Sequence, residues 1–150
     1  MPVRVQTEDF DLSAETERLI GGRRDVGAIV TFTGKVRGDD DGREVSTLTL
    51  EHYPEMTEAE MARIEQEAMQ RWPLQAVLML HRVGELKAGD NIVLVIAASA
   101  HRQAAFEAAS FLMDYLKTRA PFWKKETGAD GASTWVESRT EDDDAADRWR

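Results

Sequence analysis

The chain has 150 residues, of which 42% are hydrophobic, with 28 acidic against 19 basic side chains and a net charge of −9. That length suits a single domain with a substantial core, and the negative balance excludes a general nucleic-acid or anionic-membrane binder, because polyanions are repelled on average. The chain has no cysteine, which excludes a disulfide framework, a thiolate metal site and a cysteine nucleophile. No basic-then-apolar signal pattern opens the chain and no stretch approaches the ~18 apolar residues of a membrane span, so the expectation is a cytoplasmic protein.

Ser13 to Ile20 reads as a short helix. Ser13 is suited to accept a first-turn amide, and Glu15 and Glu17 put negative charge near the positive end of the helix dipole before Gly21-Gly22 ends it. Residues 26–33 (VGAIVTFT) have the β-branched, apolar composition of a buried strand, which runs into a glycine- and charge-rich loop over 34–42. In 46–53, Leu48, Leu50 and His52 alternate with Thr47, Thr49 and Glu51, the pattern of a half-exposed strand. Thr57 and Glu60 have capping-box spacing, and Met61, Ile64, Ala68 and Trp72 recur at helical spacing, so 57–72 is expected to be an amphipathic helix ended by Pro73. Two strands follow, 76–83 and 92–98, joined through 84–90; the second is apolar on both faces and is expected at the centre of its sheet. From Arg102 to Lys117 a run without Gly or Pro predicts a long helix. Its expected core face carries Ala105, Ala109, Leu112, Met113 and Leu116, and Ala120-Pro121 stops it. Trp135-Val136 supplies a last short strand, and the acidic run from Glu141 opens a solvated, frayed tail. The order α-β-β-α-β-β-α-β predicts one α+β (mixed α/β) domain over 1–140, followed by the tail at 141–150.

Chemistry concentrates in residues 101–125. This segment holds Arg102, Lys117, Arg119, Lys124 and Lys125 against only Glu107 and Asp114, a net +3 that leaves −12 on the rest of the chain. Arg supplies a planar fork for phosphate or carboxylate and Lys a compact charge, so the cluster suits an anion pocket; a solvated helix end whose last turn favours cations gives the same composition. Lys117 and Lys124 bracket the bend Pro121-Phe122-Trp123, where neighbouring cations and rings can turn a lysine toward base or nucleophile chemistry. His101 precedes Arg102 at a strand-to-helix junction, where first-turn amides add anion donors. His52 and His81 fall in expected strands without a partner at metal-ligand spacing, and read as structural histidines. Lys35 and Arg37 sit in the loop after the first strand, but Gly34 to Gly38 lacks the Lys-Ser/Thr of a phosphate-binding P-loop. No Gly-x-Ser-x-Gly elbow supports serine catalysis.

Several ordered blocks carry a wider resemblance: GAIVTFTGKVR (27–37), LTLEHYPEMTE (48–58), HRVGEL (81–86) with Gly89-Asp90, and SAHRQAAFEAASFLMDYLKTRAPFWKKE (99–126), continued by Trp135-Val136-Glu137. Together they resemble the large, catalytic subunit family of molybdopterin synthase. The resemblance implies an α/β hammerhead-type domain with an additional antiparallel β subdomain. It also implies a sulfurtransferase of molybdenum cofactor biosynthesis that converts cyclic pyranopterin monophosphate into molybdopterin. The two dithiolene sulfurs would come from a small ubiquitin-like carrier subunit whose C-terminal Gly-Gly ends in a thiocarboxylate. Two catalytic subunits would form a central homodimer with one carrier at each end, a heterotetramer, and no cofactor or metal is implied. Residue by residue, Lys117 and Lys124 match the catalytic lysines. Lys35, Val36 and Arg37, His101 and Arg102, and Lys124, Lys125 and Glu126 match positions lining the substrate pocket, as does Arg139. Position 55 is Glu where the family commonly has Gly.

On this reading, the cyclic phosphate and the thiocarboxylate are both anions that clustered Lys and Arg would draw together. Two readings of other classes stay open from the residues alone: a noncatalytic adaptor for a ubiquitin-like tail, and a phosphate-binding enzyme of unrelated reaction.

Overall fold

The computed structural model describes residues 3–40, 42–136 and 140–150. Its two sheets and four helices make a mixed α+β architecture. The first sheet has the order β1 (Val3–Gln6), β5 (Leu74–Arg82), β7 (Asn91–Ser99), β2 (Ala28–Lys35). β1 runs parallel to β5, and the other pairs are antiparallel. The apolar sequences of β5 and β7 follow from their place at its centre, covered on both faces. Val77, Met79, Val95 and Ala97 face α2 (Met56–Arg71) and α3 (Arg102–Arg119), where they meet Met61, Ile64, Phe111 and Leu112. The alternate residues Leu78, Leu80, Leu94 and Ile96 form a separate cluster under Phe10 and Leu19, the latter from α1 (Leu12–Ile20). This two-residue alternation is the pleat of the strand read out as two cores.

The second sheet is built on β4 (Arg43–His52), which pairs antiparallel with β8 (Phe122–Gly128) along most of its length. β9 (Ser133–Val136) extends it beyond β8, while β3 (Asp39–Asp40) and β6 (Gly84–Lys87) pair with β4. A small core of Val36, Leu48, Leu50, Val83 and Leu86 lies on it. Val5, Ile92 and Phe122 pack against both this cluster and the main one, so these three residues join the two sheets.

Several elements depart from the sequence reading, each for a physical reason. Helix α1 is capped by Asp11, whose Oδ1 accepts the Ala14 N–H at 3.0 Å, rather than by Ser13. Thr57 does not cap α2. It is fully buried, accepts the Tyr53 N–H at 3.1 Å and donates to the Pro121 carbonyl at 2.9 Å, tying the start of α2 to the start of β8. Glu55 takes the position before the helix with φ +71°, and its N–H donates to Glu58 Oε1 at 3.2 Å. The stretch after Pro121, read as a bend, is strand β8; its partner β4 lies some seventy residues earlier, a pairing no local pattern announces. β1 and β6 are likewise formed by long-range pairing. Residues 140–147 are helix α4 (Thr140–Asp147), where a frayed tail is expected, because its last turn and the residues beyond it reach the core: Ala146 is buried, and the Trp149 ring stands edge-on to Trp72 and Phe111. Asp114 accepts from Trp149 Nε1 at 2.7 Å and from Arg148 at 3.0 Å.

Candidate active site

At the seam between the sheets lies a cavity of about 180 Å³, walled by the C-terminal half of α3 and by the ends of β2, β5, β7 and β8. α3 contributes Met113, Leu116 and Lys117, which fall on one side of the helix because residues three and four apart are surface neighbours. β8 contributes Phe122 and Lys124. A second cavity of about 130 Å³ adjoins the first, sharing Lys35, Lys117 and Lys124 and adding Val36, Arg37 and Glu126. Strand alternation sorts the basic cluster on β8: Lys124 faces the cavities, while Lys125 faces away, its Nζ 5.8 Å from the centre of the Trp135 ring, and Trp123 packs on Tyr53.

The loop after β2 is pinned rather than free. Val36 N–H donates to the Asp90 carbonyl at 2.9 Å, Gly89 N–H returns a bond to the Val36 carbonyl at 2.8 Å, and Lys35 Nζ donates to the Gly89 carbonyl at 3.3 Å. Val36 is buried in the second core, so Lys35 and Arg37 on either side of it are held at the cavity mouth. Gly34 lines the first cavity, and a Cβ there would come within 2.6 Å of Val93 Cγ1, so only glycine lets β2 lie this close to β7.

The wall also holds a residue read from sequence as merely structural. His81, at the end of β5, is 6% exposed and its ring stacks on Phe122 with centroids 3.9 Å apart and planes 21° from parallel. Its Nδ1 lies 2.8 Å from the Arg82 carbonyl oxygen, an acceptor, so Nδ1 carries the proton. Burial pushes the pKa of His81 down to about 3; the Arg82 carbonyl opposes this, and the electrostatic effects of Lys124, Lys117 and His52 add to it. The imidazole is therefore neutral near pH 7. Its sequence signal is slight: one polar side chain near the end of an otherwise apolar strand.

Carboxylates temper the cations, Glu126 in the second cavity and Asp142 of α4 in the first. Arg119, close to Lys117 in sequence, lies elsewhere: its guanidinium is 3.6 Å from Glu67 and sits 3.8 Å from the Tyr115 ring centre.

The structure thus brings Lys35, Val36, Arg37, Lys117, Lys124 and Glu126 together. It does not bring His101 and Arg102 to them within one chain. His101 precedes the first turn of α3, exposed, with its N–H donating to Ser99 Oγ at 3.2 Å. Lys117 lies fifteen residues along the helix from Arg102, a rise of roughly 22 Å. Arg139 lies outside the described residues.

Fold and site together define an enzyme domain with a lysine-lined cavity between a helix-covered sheet and a smaller antiparallel one. The chain belongs to the MoaE protein family, whose model matches residues 5–119. A molybdopterin synthase catalytic subunit from Mesorhizobium japonicum is 58% identical over 149 residues, covering 99% of this chain and 92% of that one. Among solved structures, the molybdopterin biosynthesis MoaE protein from Burkholderia ambifaria superposes with a TM-score of 0.83 at 48% identity, covering 98% of this chain and 96% of the other. The fold is shared at greater distance by a protein–protein complex of subunits 1 and 2 of the molybdopterin-converting factor from Helicobacter pylori (TM-score 0.76, 20% identity, 93% and 92% covered).

Proposed function

We propose that this chain is the catalytic subunit of a molybdopterin synthase, inserting the two dithiolene sulfurs into cyclic pyranopterin monophosphate from the thiocarboxylate of a small ubiquitin-like carrier. The observation that carries this reading is the meeting of Lys117 and Lys124, from α3 and β8, on the shared wall of two cavities, both also lined by Lys35 and the second by Arg37. Two anions have to be brought into contact for the reaction, and a site with several cations lowers their mutual repulsion while fixing their approach.

In the proposed sequence the thiocarboxylate sulfur attacks a side-chain carbon of the precursor; a carbon–sulfur bond forms as that carbon's bond to oxygen breaks, the oxygen leaves protonated, and the sulfur becomes a thioester to the carrier. Water then hydrolyses that thioester, leaving sulfur on the pterin and a free carboxylate on the carrier, and a second charged carrier repeats the step. Lys117 orients the thiocarboxylate and stabilises the acyl adduct; Lys124 stabilises developing negative charge or moves a proton. Arg37 and Lys35 hold the phosphate at the cavity mouth, beside Val36 and Glu126. With no cysteine in the chain, its sulfur has to arrive on another molecule, which suits a carrier.

His101 and Arg102 belong to the same reading through a second copy of the chain, while Lys125 and Arg139 enter it by resemblance alone. A helix length separates His101 and Arg102 from Lys117, so a homodimer in which one copy's α3 N-terminus meets its partner's lysine cavity accommodates both sets. The complete assembly is then two catalytic chains and two carriers.

Reconstitution tests the reading. The purified protein is mixed with thiocarboxylated carrier and the cyclic precursor, and the dithiolene product is sought by mass spectrometry. Product is expected from the wild type and its loss from Lys117→Ala or Lys124→Ala; no sulfur incorporation by the wild type, or turnover by both variants at the wild-type rate, overturns it. Binding of the carrier without conversion would indicate an adaptor.

A further inference from the structure

We propose that His81 is a positioning residue of the lysine cavity: its Nε2 accepts a hydrogen bond from the Lys124 ammonium and holds that group toward the reacting atoms. The inference rests on the proposed reaction for its catalytic consequence, but its structural content stands apart from it.

Three features converge on it. First, the ring is fixed. Its Nδ1–H is committed to the Arg82 carbonyl at 2.8 Å and one face is stacked on Phe122 at 3.9 Å, so the neutral ring turns only its Nε2 lone pair to further partners. Second, the ring is beside the lysine. Phe122 and Lys124 are two residues apart on β8, hence on one face of it, and line the same cavity as His81, and the Lys124 charge acts on the His81 ring. Third, the surroundings are cationic. Lys124 and Lys117 act on His81 from β8 and α3 and His52 from β4, Lys35 of β2 lines the cavity, and Asp142 of α4 is its carboxylate. A protonated imidazole would add one more cation there, whereas a neutral one offers an acceptor that consumes none of the positive charge meant for substrate. A carboxylate in this position would instead form an ion pair with the lysine and cancel its charge.

Three substitutions separate this role from simple filling of space. Gln places a polar atom close to where Nε2 lies, Asn close to Nδ1, and Leu supplies bulk alone. In the reconstituted reaction, His81→Gln is expected to keep kcat within several-fold of the wild type. His81→Asn and His81→Leu should lose about ten- to a hundredfold, the range for one hydrogen bond to a charged group, with little change in KM for the precursor. Leu turning over at the wild-type rate, or Gln falling as far as Leu, overturns the proposal. Nitrogen-15 NMR of the wild type and of Lys124→Ala decides the structural part without any turnover and without the His81 variants folding. Protonated Nδ1 and an Nε2 resonance that moves when Lys124 is removed are expected; protonated Nε2, or an Nε2 indifferent to Lys124, overturns it. Failure of the wild type to make product while the NMR result holds would refute the proposed reaction and leave the His81–Lys124 contact standing.

Discussion

At the scale of single residues, the buried imidazole of His81 ties stability to pH. An unfolded chain takes up a proton on this ring below pH 6.5, whereas the folded protein resists until about 3. The ring's contribution is thus whole above 6.5 and is lost as the pH falls from 6.5 toward 3, at a limiting slope of about 1.4 kcal/mol per pH unit. Urea unfolding at pH 7, 6 and 5 is expected to show the midpoint falling, and His81→Leu to flatten that fall; equal slopes for the two proteins would contradict it. Glu55 offers a test of the opposite sign. Its φ of +71° lies in the left-handed region, where a side chain costs ~1–2 kcal/mol and glycine is at ease. Glu55→Gly keeps the backbone bond to Glu58 and should raise stability by about 0.5–1 kcal/mol after glycine's own entropy is counted. A lower thermal midpoint would show that the Glu55 side chain contributes more than its backbone strain costs.

Elements differ in how much of them the sequence discloses. α3 is readable because its core contacts recur at helical spacing, and the expected faces Ala105, Ala109, Leu112 and Leu116 are buried. It hides more than it shows, however: Phe111 is fully buried among Tyr115, Trp72 and Trp149, the last two lying just past the ends of α2 and α4. Phe111→Ala is expected to cost about 3–5 kcal/mol in chemical unfolding, the range for emptying a large buried aromatic site. β8 shows the reverse. FWKKETG has no apolar alternation, because one face looks into a charged cavity and the other carries Trp123 and Lys125 outward, so the strand exists by pairing with β4. For the same reason the two adjacent lysines are unequal, a distinction invisible without the strand. Lys124→Ala should lower kcat about a hundredfold, and Lys125→Ala only a few-fold, because half-buried Lys125 points to Trp135 rather than into the cavities; equal losses would place both on one face of the reaction. The lysines of the cavity were legible as a cluster and by resemblance, while His81 was not, because a buried histidine in a strand is ordinary until its neighbours are known.

For the whole molecule, the separation of His101 and Arg102 from the lysine cavity makes the proposed dimer a matter of chemistry rather than of assembly alone. Lys117→Ala and Arg102→Ala, each inactive by itself, should complement when unfolded together and reassembled. Random pairing makes about half the dimers hybrid, each with one intact site, so about a quarter of the wild-type rate is expected in a closed two-fold dimer. No recovery, with hybrid dimers shown to form, would mean that each chain's site is complete in itself. The placement of charge has a further, kinetic consequence. A body carrying −12 outside residues 101–125 surrounds the lysines that line the cavity, so an approaching anion is repelled at long range and attracted only near the opening. Raising ionic strength to the physiological range shortens the screening length to ~8 Å, which suppresses the distant repulsion more than the attraction at contact. Moderate salt should therefore speed the encounter with an anionic reactant, the opposite of what a basic binding protein shows.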